Sequence, residues 1–210
     1  MKKSARILAA MLALCMLAAA AISCKPGGGT DAGTGAQVEK LLGVARGEIG
    51  VTAPPEDANA VTYNTWYYGR DVSGSGYAWC GVFVLWCFDS ADMLDLTWES
   101  LNSAKRAFAE GVRNWKALAL STDRWITSDY EPGDVVMLDF DENPSTIEHV
   151  GIVESVSADG KTLTTIEGNT SDGDDVSQSD GGCVARKSRD ASLVVGAYRP
   201  PYETDDDEAG

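Results

Sequence analysis

At Pro132 the apolar pattern of this 210-residue chain changes period, and that change restricts its fold more than any other feature. Upstream, Val38, Leu41, Leu42 and Ala45 recur at the spacing of one helical face and predict a helix over 36–47. Further helices are predicted over 79–90 and 100–120, the latter broken at Gly111. Between them, Pro54-Pro55 and the cluster Tyr63, Trp66, Tyr67 and Tyr68 read as a loop. Downstream of Pro132, five short apolar runs at 134–140, 149–156, 162–167, 183–187 and 193–198 are separated by turn residues and read as strands. Asp159-Gly160 is a hairpin signal, so the second and third strands should pair directly. Helices first and strands afterwards predict an α+β domain, with N-terminal helices packed on a C-terminal antiparallel sheet.

The domain occupies only part of the chain. Lys2, Lys3 and Arg6 precede an apolar stretch at 7–22 that is short for a bilayer span, so 1–23 reads as a secretory signal peptide. It ends in Ala21-Ile22-Ser23-Cys24, which is similar to the lipobox of bacterial lipoproteins and makes Cys24 the candidate lipidated residue. Residues 24–36 form a Gly-rich tether, 37–202 a single domain and 203–210 an acidic tail. The expected location is extracytoplasmic, at the membrane through a lipid on Cys24 or otherwise secreted. With 17 basic and 32 acidic residues the net charge is −15, and loss of the signal leaves 14 against 32, or −18. Such a charge repels nucleic acid, which is excluded as a partner. A monomer with a solvated acidic surface is expected.

Beyond the signal and Cys24 the chain holds three cysteines, Cys80, Cys87 and Cys183, and one histidine, His149. An odd cysteine count outside the cytoplasm points to one reactive thiol. Cys87 and Cys183 read as buried thiols, with a disulfide between them as the alternative. Cys80 falls in the first turn of a helix, where unpaired backbone N–H groups favour a thiolate and can donate to an oxyanion. Tyr63 and Asn64 are candidates for the second oxyanion donor. His149 opens a strand and is the chain's only imidazole, so it is the one base of that kind able to take the thiol's proton. Glu167 and Asn169 follow on the strand expected beside it, and either could orient the ring. Glu167 is preferred because a carboxylate favours the charged imidazolium.

Two further sets of residues bear on binding. Trp79, Tyr63, Trp66 and Tyr77 would suit a groove for a glycan or an extended peptide, or else the core. Asp172-Gly173-Asp174-Asp175 has oxygen ligands but lacks the rest of a calcium loop and reads as a solvated turn. One histidine and the absence of closely paired cysteines argue against zinc. No metal and no cofactor is expected.

Taken in order, several segments resemble the CHAP (cysteine, histidine-dependent amidohydrolase/peptidase) family. They are the 59–69 aromatic stretch, Trp79-Cys80-Gly81-Val82-Phe83-Val84-Leu85-Trp86-Cys87, Pro132-Gly133-Asp134-Val135, His149-Val150-Gly151-Ile152-Val153 and Ile166-Glu167-Gly168-Asn169-Thr170. The resemblance implies a papain-like fold related to NlpC/P60 enzymes, and a peptidoglycan hydrolase with Cys80 as nucleophile, His149 as base and Glu167 with Asn169 as orienting groups. Its activity would be that of an N-acetylmuramoyl-L-alanine amidase or of a stem or cross-bridge endopeptidase. Gly81 departs from the alanine more usual there, at an expected cost of about 0.5–1 kcal/mol in helix stability. An NlpC/P60-like peptidase is one alternative, although Trp79-Cys80-Gly81 differs from the Asp-Cys-Ser-Gly start of those enzymes. The other is a non-catalytic envelope lipoprotein that binds wall fragments or a protein partner.

Overall fold

The computed structural model describes residues 32–98, 108–141, 146–173, 178 and 180–203. The expected signal peptide, Cys24, most of the tether and the tail beyond Glu203 lie outside the described residues. So do the first part of the 100–120 helix and Asp174-Asp175 of the acidic turn. The described helices are α1 (Ala32–Gly47), α2 (Thr62–Tyr68), α3 (Cys80–Ser90) and α4 (Val112–Ser121). The strands are β1 (Trp125–Ile126), β2 (Val135–Leu138), β3 (His149–Val156), β4 (Thr162–Thr170), β5 (Cys183–Asp190) and β6 (Val194–Tyr198). They form one antiparallel sheet in the order β1-β6-β2-β3-β4-β5. The fold is α+β, with α3 lying against the adjacent strands β3 and β4.

Strand alternation divides the apolar residues between two sides of the sheet. Val150, Ile152, Ile166 and Val184 join α1 and α3 residues in the main core, which contains Leu41, Leu42, Phe83, Leu85 and Phe88. Val136, Leu138, Val153, Leu163 and Ala197 form a smaller cluster on the other side. The predicted stripe of α1 is buried, with Leu41, Leu42 and Ala45 fully enclosed and Val38 nearly so. Arg46 of α1 bonds to Glu154 of β3 at 2.7 Å, and Arg186 of β5 bonds the same carboxylate at 2.5 Å, tying the helix to two strands.

The structure differs from the sequence reading in three respects. The aromatic segment expected as a loop is α2, which buries Tyr63, Asn64 and Tyr67 and ends at Gly69 in the left-handed conformation, φ 67°. Tertiary burial of aromatic side chains overrides their middling helix propensity. A two-residue strand, β1, pairs with β6 and was too short to leave a periodic signal. Strands β4 and β5 each run three residues past their expected ends, to Thr170 and Asp190, which puts Arg189 on β5.

Gly81 is required by packing and is more than a tolerated departure from alanine. A Cβ there would stand 2.0 Å from Ala109 O and 2.9 Å from Trp115 Nε1. Those atoms are joined by a hydrogen bond, Trp115 Nε1–H donating to Ala109 O at 3.0 Å, that seats the 108–111 segment on α3. Gly81→Ala should therefore cost about 1–3 kcal/mol through overpacking, despite alanine's better helix propensity. Urea denaturation checks this, and a variant as stable as the parent would contradict the packing account.

Candidate active site

Cys80 is the first residue of α3, and no side chain caps that helix, whose N-cap is Trp79. The helix therefore presents backbone N–H groups and the positive end of its dipole where the Sγ sits. Cys80 is buried but lines a cleft of ≈ 420 Å³ together with Ala78, Glu110, Arg113, Asn114 and Glu148. Cys87 and Cys183 are free thiols as well, so no disulfide joins them. Burial, with Glu48 nearby, pushes the Cys87 thiol well up. Burial and then Asp172 raise Cys183, whose Sγ–H donates to Thr170 O. Neither has the surroundings of a reactive thiolate.

His149 begins β3 and is fully buried. Register places it opposite Leu138 of β2, a member of the smaller apolar cluster, so the imidazole leaves the sheet on that side. Its Nε2 lies 3.1 Å from Glu167 Oε2, an ion-pair contact rather than an aligned hydrogen bond. That leaves Nδ1 as the nitrogen for the Cys80 thiol. Burial opposes charging the ring, but the charge and hydrogen bond of Cys80, followed by Glu167, outweigh it and raise His149 to about 9. The imidazolium form, set against the Glu167 carboxylate, is thereby favoured.

Glu167 is fully enclosed on β4, and such a carboxylate can stay charged only with strong partners. Arg189 of β5 supplies them, donating from Nε to Oε1 at 2.8 Å and from Nη2 to Oε2 at 2.5 Å. Thr165 Oγ1–H adds a third bond to Oε1 at 2.6 Å. Burial alone would raise Glu167, yet the Arg189 and His149 contacts hold it down at about 2. Gly151, on the neighbouring strand, makes room for this carboxylate, since a Cβ there would meet Glu167 Cγ at 2.6 Å.

The structure thus brings Cys80, His149 and Glu167 together, with Asn169 buried two residues further along β4. Asn169 has φ 57° within the register shift between Glu167 and Thr170, and its carbonyl accepts from Gly181 N–H at 2.9 Å. Between the two orienting residues weighed from sequence, it is Glu167 that stands at ion-pair distance from Nε2.

The aromatic reading is corrected in part. Tyr63 and Trp79 are fully buried, stack on each other at 5.2 Å and belong to the core, so they are not open to a ligand. Trp79 Nε1–H donates to Ala58 O at 2.9 Å, and Tyr63 OH donates to Glu48 at 2.6 Å. Trp66 and Tyr77 are partly exposed and stand outside the lining of the Cys80 cleft. The oxyanion candidates are also committed elsewhere, Tyr63 to Glu48 and the Asn64 amide to the carbonyls of Asn59 and Tyr77, both at 2.8 Å. Tyr67 instead shapes the cleft, donating to Glu110 and accepting from Ala109 N–H.

Arg189 escaped the sequence reading. The only signal was the run Arg186, Lys187, Arg189 in a strand, and alternation alone does not show that the face bearing Lys187 and Arg189 is the buried one. Among the described residues one acidic group has metal-like spacing, Asp139, Asp141 and Glu148 beside His149. All three carboxylates serve the chain itself, Asp139 accepting from Asp141 N–H, Glu148 from Phe140 N–H and Asp141 from Thr146 Oγ1–H.

The family model described as CHAP domain matches residues 72–169, a stretch that contains Cys80, His149, Glu167 and Asn169. No curated protein matches the chain significantly. Among solved structures, "The crystal structure of Ly7917" is similar at 20% identity and a TM-score of 0.42, over 78% of this chain and 62% of that one. The chain thus spans less than two thirds of that protein's length.

Proposed function

We propose, from the match of residues 72–169 to the CHAP domain model and from the geometry of the site, that this chain is a CHAP-type hydrolase that cleaves an amide bond of peptidoglycan through Cys80 and His149. The observation that carries this reading is the buried alignment of Cys80, His149 and Glu167 at an uncapped helix start that opens on a cleft. In the first half-reaction Cys80 Sγ⁻ adds to the amide carbon, and the oxyanion is met by the Cys80 N–H. His149 then gives its proton to the departing amine and the C–N bond breaks. In the second half-reaction His149 takes a proton from water as the water attacks the thioester, and the acid leaves as the thiolate re-forms. Glu167 holds the imidazole and balances its charge throughout, and Asn169 supports it from the same strand. The scissile bond is the muramoyl-L-alanine amide or one within the stem or cross-bridge peptides. The same reading places the enzyme outside the cytoplasm, anchored through a lipid on Cys24.

Digestion of purified peptidoglycan by residues 36–210, followed by mass spectrometry, tests the reading. Stem peptides released with a free L-alanine amine identify an amidase, and severed cross-links identify an endopeptidase. Absence of any Cys80-dependent product from several wall types rejects hydrolysis and leaves wall binding.

A further inference from the structure

We propose that Arg189 is a positioning residue of this site, fixing Glu167 against His149 and supplying the positive charge that brings the buried group to neutrality. Arg189 lies on β5, beyond the end of the family match at residue 169, and nothing in that match assigns it a role. Its guanidinium is buried, 5% exposed as a residue, and grips both oxygens of Glu167. One of those oxygens, Oε2, is shared between Arg189 Nη2 at 2.5 Å and His149 Nε2 at 3.1 Å. The guanidinium carbon lies 4.8 Å from the centre of the Phe140 ring, which itself lies 6.0 Å from that of the imidazole. Its remaining Nη1 donates to Gln178 Oε1 at 2.9 Å. The planar fork is thus held on three sides, and the carboxylate it carries can approach the imidazole from one direction only.

Charge balance explains why a cation belongs here. With thiolate on Cys80, imidazolium on His149 and carboxylate on Glu167, the enclosed group carries a net −1, which a buried setting disfavours. Arg189 brings it to zero. The other titratable groups around it do not replace that charge. Lys187, the neighbour on the same face of β5, directs Nζ to the carbonyls of Ser171 and Gly173, Asp139 and Asp141 after β2 and Glu148 before β3 are acidic, and Arg113, which lines the Cys80 cleft, is accompanied there by the opposite charge of Glu110. Removing a nearby positive charge makes every proton in the group harder to lose, so thiolate should form only at higher pH.

The inference rests on Cys80 and His149 as the hydrolytic pair, and its test separates the two. Alkylation of Cys80 by iodoacetamide, localised by peptide mass spectrometry and followed against pH, reports thiolate without any wall substrate. Arg189→Gln should move the alkylation midpoint up by about one pH unit. Arg189→Lys keeps the charge but loses the fork, so its midpoint should stay with the parent while wall hydrolysis falls about tenfold. A folded Arg189→Gln with an unmoved midpoint overturns the proposal. If that variant does not fold, Arg189→Lys decides. An unmoved midpoint with slowed hydrolysis upholds the proposal, and a moved midpoint or parental hydrolysis overturns it. A midpoint shift in a chain that cuts no wall material upholds the role of Arg189 and refutes the hydrolase reading instead.

Discussion

Replacing Cys80 or His149 with alanine should lower wall hydrolysis by about 10⁴-fold, and the double variant should be no slower than either single one. In the proposed mechanism the two groups act in one step: the thiol has no other imidazole to take its proton, since His149 is the chain's only histidine. Without Cys80 the ring has no nucleophile to serve, so the second loss removes nothing further. Residual activity over water would come from the cleft and the α3 amides alone. Single-turnover rates on purified peptidoglycan measure this, and additive losses in the double variant would show that the two residues do not form a unit. Folding should survive Cys80→Ala, because the thiol occupies a small site at the rim of a cleft. His149→Ala is harsher. It empties a fully buried site and leaves Glu167 to Arg189 and Thr165, so circular dichroism must accompany the rate.

Glu167→Gln should damage both stability and rate. Substituting an amide for the carboxylate leaves the buried guanidinium of Arg189 without its anion, and breaking a buried pair from one side costs about 3–5 kcal/mol. Activity should fall about 10²- to 10⁴-fold, since the ring loses its orienting charge. Adding Arg189→Met removes the stranded cation, so the double variant should be more stable than Glu167→Gln alone while remaining as slow. Urea melts of the parent, both single variants and the double variant close the cycle. A double variant weaker than Glu167→Gln would show that Arg189 contributes through contacts other than this pair.

The same groups set the sign of the pH dependence. Glu167 is held down at about 2 in the folded chain, from an ordinary value of 4.5, as Arg189 and His149 overcome the effect of burial. Its stabilising contribution is therefore complete above 4.5 and is lost as pH falls towards 2. His149 is raised to about 9 from 6.5, as Cys80 and Glu167 overcome burial, so its contribution is complete below 6.5 and lost as pH rises through 9. Between these limits the site contributes most to stability.

The sequence by itself determined that helices precede an antiparallel sheet, the side of α1 that faces the core, and the thiol, imidazole and carboxylate that the fold brings together. Those features are local: a helical stripe, an alternating run and a lone histidine can be read within a few residues. Even the position of Cys80 in a first helical turn followed from neighbouring residues, and α3 begins at Cys80. Only the tertiary structure decided which aromatic residues were core, because Tyr63 and Trp79 look alike in sequence whether they stack on each other or line a groove. It also decided that Gly81 admits the Ala109 carbonyl and that Gly151 admits Glu167, since both depend on segments distant in the chain. Arg189 is the clearest case. Its partners lie on another strand, with Leu163 as its register neighbour, and a cation on an alternating strand carries no mark of whether its face is wet or buried. Pairing β5 with β4 buried that face, and burial turned an ordinary arginine into the counter-charge of the site.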